Sequence, residues 1–214
     1  MATPKKWSNV AIAMQSAIAA AKTLSAITKA SPGVASSTAH GYSNGDYVLL
    51  TVQGMWQVDG MVVRVAGVTA DTFQLEGVDT TDFDAFSSGT AEKLTFGTSI
   101  TTATTLSGSG GDFDFIDTTT VHGNAKTQIP GLANPATYTF ENIWDVSDAG
   151  LLAMKSASDS QAKRAFKFTF GTGGQIMVFD GYVGCSLLPG GQAQQLVTSP
   201  AVITMFGKPN YYAS

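Results

Sequence analysis

The chain has 214 residues, of which 13% are charged, and a formal net charge of −4. That length buries one good core, or one core and a small module, and so few charges suit a surface largely covered by neighbours. The negative balance without a basic cluster argues against a sequence-reading nucleic-acid binder, and a single cysteine excludes an internal disulfide and a multi-cysteine zinc site.

Lys5 and Lys6 ahead of the Ala-rich run Val10 to Ala21 have the outline of a signal peptide. Gln15 and Ser16 interrupt that run and Lys22 ends it, so it reads as mature protein, too short and polar to span a bilayer. Val10, Ile12 and Met14 alternate with Ala11 and Ala13 as a first strand would. A helix over Ala11 to Ala21 is the competing reading, because Ala is the best helix former. From Leu24 the chain turns to short strands broken by turn signals at Ser31-Pro32-Gly33 and Ser43-Asn44-Gly45-Asp46. Strands are predicted at Tyr47 to Val52, Met61 to Val68 and Thr72 to Leu75. The block from Lys22 to Gly89 reads as a β module of its own.

Leu94 and Phe96 begin the next predicted strand. Gly97 to Gly111 is mostly Thr, Ser and Gly, with Ile100 and Leu106 as its large apolar residues, and reads as a long flexible loop or hairpin. Phe113 and Phe115 alternate with Asp112 and Asp114, and Pro130-Gly131 and Asn134-Pro135 punctuate the approach to the next strand. Tyr138, Phe140 and Trp144 share one strand parity. A helix is predicted over Val146 to Ser158, with Asp145 or Ser147 as N-cap and Leu151, Leu152 and Met154 on its apolar side. In Arg164 to Phe170 the three Phe share one face, as in a half-buried strand. A turn at Gly171-Thr172-Gly173-Gly174 leads back into Gln175 to Val183, apolar on both parities and so covered on both faces. A last strand at Ala201 to Phe206 precedes a terminal arm, Lys208 to Ser214.

No constellation carries chemistry. His40 and His122 each precede a Gly and read as turn or surface residues, and without a G-x-S-x-G elbow nothing marks a nucleophile. Asp79, Asp82 and Asp84 lack the spacing of a calcium loop. Gly108, Gly110 and Gly111 lack the Lys and helix of a phosphate loop. Cys185, beside Val183 and Leu187, reads as a small core residue. The expectation is a protein that is not an enzyme, with no cofactor and no metal.

The run RAFKFTFGTGGQIMVFDGYVG, the later AVITMFGKP and the earlier FIDTTTVHGNAKTQIPGLANPATYTFENIWDVSDAGLLAM resemble the major tail tube proteins of long-tailed phages, over Ala91 to Pro209. The pieces AHGYSNGDYVLL and DTFQLEGVD resemble a small β domain that recurs in phage structural proteins. The resemblance implies a mainly β fold: a two-sheet β-sandwich with one flanking α-helix, plus a small inserted β module. Residues 1–21 and 91–214 would form a discontinuous tube domain, and residues 22–90 the module on the outside of the tube. It also implies six-fold rings stacked into a hollow conduit for genome delivery, with sheets joined between neighbours, which removes exposed edges. The lumen would be acidic, and DNA would slide through it without sequence-specific binding. The tape measure, tail terminator and tail tip proteins would be partners, and the virion tail, with host cytoplasm during assembly, the location. Ile100 and Leu106 are expected to dock the loop Gly97 to Gly111 on the next ring. The alternative is a carbohydrate-binding or adhesin β domain of a virion surface, which would need an exposed aromatic platform from Trp56 or Tyr211-Tyr212.

Overall fold

The computed structural model describes residues 9–171 and 173–213, so the reading of Lys5 and Lys6 lies outside the described residues. The chain opens with β1 (Val10–Met14), a strand and not the competing helix. Its backbone is paired on both sides and it buries Ile12 and Met14, so tertiary pairing overrides the propensity of its alanines. Next come β2 (Ala17–Ile18), β3 (Lys22–Leu24), β4 (Ala26–Ile27), β5 (Val34–Ser36), β6 (Tyr47–Gln53), a helical turn at Trp56–Val58, β7 (Val62–Ala66), β8 (Thr72–Leu75) and β9 (Ser88–Thr95). These make one eight-stranded sheet in the order β2-β9-β6-β7-β8-β5-β4, with β3 also on β9. Leu94 therefore ends a strand of this sheet where the sequence suggested that it begins one.

The sheet encloses its own core around Leu50, Val63, Val65, Phe73 and Leu75. His40, expected at a turn or surface, is buried in it: its ring lies 5.2 Å from Phe73 and its Nδ1 accepts from the Tyr42 amide at 3.0 Å. A satisfied polar tip lets the imidazole body pack as an apolar group.

The rest of the chain supplies β10 (Thr98–Ile100), β11 (Ala103–Ser109), β12 (Phe113–Asp117), β13 (Gln128–Ala133), β14 (Thr137–Ile143), α1 (Ala149–Asp159), β15 (Arg164–Phe170), β16 (Ile176–Cys185) and β17 (Thr198–Tyr212). With β1 these form a seven-stranded antiparallel sheet, β10-β1-β15-β16-β17-β14-β11, while among the described residues β12 and β13 pair only with each other. The fold is mainly β with several antiparallel sheets and one helix, as the sequence suggested.

The seven-stranded sheet cannot be flat. Its two edge strands, β10 and β11, are joined by Thr101 and Thr102 alone, a reach of roughly 10 Å. The rings of Phe168 (β15) and Phe140 (β14) lie 6.2 Å apart although two strands separate them; a flat sheet would hold them roughly 14 Å apart. The two layers of the sandwich are therefore halves of one sheet folded over a shared core of Phe140, Phe166, Phe168, Phe179 and Ile203. A register shift between Val178 and Asp180 marks the bend in the β16–β17 ribbon.

α1 closes this core with Leu151, Met154 and Ala157. Its N-cap is Asp148, which accepts from the Leu151 amide at 2.8 Å. Asp145 instead accepts from the Ser147 amide at 2.8 Å in a turn of its own, which delays the helix start beyond the predicted Val146. Gly150 lies against the β10 backbone, where a side chain would strike the Ser99 carbonyl.

Strand alternation holds in β15: Phe166 and Phe168 are buried inside the fold and Phe170 half-buried beside them. Ala165 faces the other way, and with Val178 and Tyr212 it packs on Val62 and Leu94 of the eight-stranded sheet. The expected terminal arm is part of this contact. β17 runs on to Tyr212, whose hydroxyl accepts from the Arg64 amide at 2.8 Å, while Asn210 Nδ2 donates to the Val62 carbonyl at 2.6 Å. The Arg64 guanidinium sits 4.6 Å from the Tyr212 ring centre and binds both oxygens of Glu76. Pro209 fits within the strand because it lies in the register shift, where no ladder bond is needed.

On the same face Asp180 is 1% exposed, with neither carboxylate oxygen hydrogen-bonded and Lys163 Nζ 3.7 Å away. Lys163 also lies 4.0 Å from the centre of the Phe206 ring. Burial raises the Asp180 pKa above its ordinary 3.8, and Lys163 only partly opposes this.

Phe168→Ala removes a ring at the centre of the folded-over core and should cost about 3–5 kcal/mol in denaturant titration, a large part of the stability of an ordinary domain. A melt like that of the parent would mean that the rings do not hold the two layers together. Asp180 titrates with a raised folded pKa, so its contribution to stability is full below pH 3.8 and is lost as pH rises through the folded value. Asp180→Asn should therefore gain stability relative to the parent as pH rises above 3.8. Parallel pH profiles for the two proteins would refute this.

Candidate assembly surfaces

Two features of the subunit are open to partners: the edges of the folded sheet and the hairpin β12–β13.

The segment Gly97 to Gly111 is not a flexible loop. It forms β10 and β11, because composition governs only side-chain burial while the backbone pairs on β1 and β14, as in Ile12 with Ile100 and Leu106 with Phe140. Its hydroxyls add to this, Thr104 Oγ1 donating to the Glu141 carbonyl at 2.9 Å. Ile100 is 4% exposed in the core with Ile12 and Met154, and Leu106 is half-buried against the same core. Ile100 thus spends its apolar surface inside its own subunit, while Leu106 keeps part of its side chain exposed.

Among the described residues β11 pairs with β14 on one side only, and β10 with β1. Between these edges lie two clefts of about 320 and 230 Å³, which share Val10, Ile12 and Ala103 in their walls. An unpaired strand edge is a template for another chain. The outward face of β11 and β14 carries Thr105, Ser107, Thr139 and Glu141, with no basic side chain.

The hairpin β12–β13 projects as an arm. Its residues are paired from Phe113 with Ala133 to Asp117 with Gln128, and Thr118 and Thr127 continue it to a turn that holds His122. Phe113, Phe115, Ile116 and Ile129 are exposed, Val121 is 96% exposed and Leu132 89%. An isolated two-stranded hairpin is marginal in water, so this much bare apolar surface calls for a partner. The sequence showed the Phe/Asp alternation but not that the apolar residues lack a core. Near the arm's turn, the Thr119 hydroxyl and amide hold the Asp117 carboxyl below its usual range.

The remaining candidates do not converge. Asp79 is occupied by the amide and hydroxyl of Thr81, and Asp84 by Gln57. Among the described residues no group of His, Cys, Asp or Glu could hold a metal. Cys185 is buried, which pushes its thiol pKa up. Trp56 and Tyr211 are exposed but Tyr212 is buried, so the Tyr pair offers no aromatic platform.

The arm's freedom from the body has a simple check: Leu132→Ser should change subunit stability by less than about 0.5 kcal/mol in dilute denaturant titration. A loss above about 1 kcal/mol would show that Leu132 packs on the subunit itself.

A family model described as phage tail tube protein, TTP, matches residues 53–214, a wider span than the sequence resemblance suggested. Proteins of that family are structural and not enzymatic. No curated protein matches the chain.

Proposed function

This chain belongs to the phage tail tube protein family, and we propose that it polymerises as six-fold rings stacked into a hollow conduit for genome delivery. The observation that carries this is the pair of sheet edges, β10 and β11, that lack a second partner among the described residues. Pairing each edge with a neighbour extends the sheet around a ring and leaves no free ladder. The outward face of β11 and β14 then lines the lumen. It offers hydroxyls and one carboxylate, Glu141, so phosphates meet no cation that would hold them. The apolar arm supplies the contact between rings. The tape measure occupies the lumen during assembly, terminator and tip proteins close the ends, and rings assemble in the host cytoplasm before entering the virion.

Within the subunit, the tube domain is discontinuous and the eight-stranded sheet is an inserted module on the tube exterior. β1 and β10 are direct neighbours, Met14 opposite Thr98, and everything between them enters the second sheet. The division at 21/22 and 90/91 read from the sequence would cut through β9, so residues 15 and 97 are the better limits.

Negative-stain microscopy of purified protein tests the proposal. Hollow rods with six-fold end views are expected, and protein that remains as single particles at high concentration would overturn it.

A further inference from the structure

The folded-over sheet has two ends, and the described residues close one of them. β16 runs from Ile176 at one end to Cys185 at the other, where the Cys185 amide donates to Ser158 Oγ of α1 at 3.1 Å. The helix therefore covers the Cys185 end, with Leu151, Met154 and Ala157 turned inward. At the Ile176 end the core opens into a cavity of about 550 Å³, whose walls include Tyr138, Phe170, Gln175, Met177 and Tyr211. Tyr138, Phe170 and Met177 belong to the core itself, and Tyr211, opposite Met177 on β17, is 70% exposed. A mouth walled by aromatic rings and a thioether sulfur favours a large aromatic group over water.

The chain carries such a group at the rim. β1 begins there: Val10 pairs with Phe170, and the Gly171 amide donates to the Asn9 carbonyl at 3.0 Å. Asn9 has a φ of 59°, in the left-handed region, which breaks the strand path just before Val10 and re-aims the chain ahead of it. Residues 1–8 lie outside the described residues, and Trp7 is the one aromatic among them. Two residues reach roughly 7 Å, so an indole at position 7 is within range of the mouth.

Polarity agrees with an indole. A tryptophan that leaves water needs an acceptor for its N–H. The Tyr138 hydroxyl donates to Met177 Sδ at 3.6 Å, which leaves its oxygen able to accept, and Gln175 adds an amide carbonyl in the wall.

We propose that the N-terminal segment of the same chain, residues 1–8, seats Trp7 in the mouth lined by Tyr138, Phe170, Met177 and Tyr211, as a plug opposite α1. The seat belongs to a single subunit and does not depend on polymerisation. It anchors β1 from its N-terminal side, where strand pairing ends. Lys5 and Lys6, directly before Trp7, keep their ammonium groups in water and limit how deep the segment enters.

Fluorescence of the full-length protein tests this. Of the three tryptophans, Trp56 is exposed and Trp144 half-buried. Subtracting the spectrum of Trp7→Phe from that of the parent isolates the emission of Trp7. It should lie to the blue of a free tryptophan amide and be quenched by acrylamide severalfold less steeply. Tyr211→Ser removes one wall of the mouth at an exposed position. With that change present in both proteins, the same difference should move to the red and quench more steeply. A Trp7 that emits and quenches like the free amide would overturn the proposal, as would one unaffected by Tyr211→Ser. Protection that fades on dilution would put a second copy's segment in the mouth and overturn the same-chain assignment. None of these readings depends on whether rods form.

Discussion

The tube sheet depends on a single closure, the contact of Phe168 with Phe140 and Tyr138 across the fold in the sheet. Antiparallel strands twist and can coil, but a seven-stranded sheet closes this tightly only if its inner face supplies something to close upon. The aromatic rings do this, with Phe179 between Phe166 and Phe168 at 5.7 and 5.4 Å. Once the sheet has folded over, Thr101 and Thr102 suffice to join its two edges, and the edges come to lie beside one another. The subunit thus presents two unpaired ladders on one side, the geometry that a wall of repeated subunits requires.

The outer face of the same sheet is governed by a different contact. Val178 and Tyr212 would be bare apolar surface without Val62 and Leu94 to cover them. Arg64 fixes the relation further, since its backbone bonds Tyr212 while its side chain bonds Glu76. Asp180 sits under this junction without a hydrogen bond. The two sheets are therefore joined by an interface with its own small core and its own polar cost.

Much of this was legible in the sequence where side-chain period alone decides. Strand β15 begins and ends at the predicted residues, and β8 does too, because their alternation meets a core on one face. What was not legible depended on partners distant in the chain. β10 and β11 have the composition of a loop, yet they pair with β1 and β14. The end of β17 looked like an arm after Gly207, but its hydrogen bonds come from Val62 and Arg64. The arm itself shows the limit most clearly. Phe113 and Phe115 give the same period-two signal whether their apolar face meets the subunit's own core or that of a neighbour, so period cannot locate an interface. His40 was misplaced for a related reason: its context is a turn, but the turn is buried.

The splice between β1 and β10 has a consequence for the order in which the molecule can form. Met14 pairs with Thr98 and Phe166, and Val10 with Phe170, so β1 waits during synthesis for partners made far later. The strands from β4 to β9 find one another sooner, over shorter loops whose closure is less costly in entropy. Synthesis therefore delivers a folded module with an unpaired strand hanging from its N-terminal side. That strand, Val-Ala-Ile-Ala-Met, is short and carries two alanines, which limits its hold on stray edges while it waits. Only when β15 emerges does the sheet gain the strand that lies between β1 and β16, and from then on the remaining closure is local.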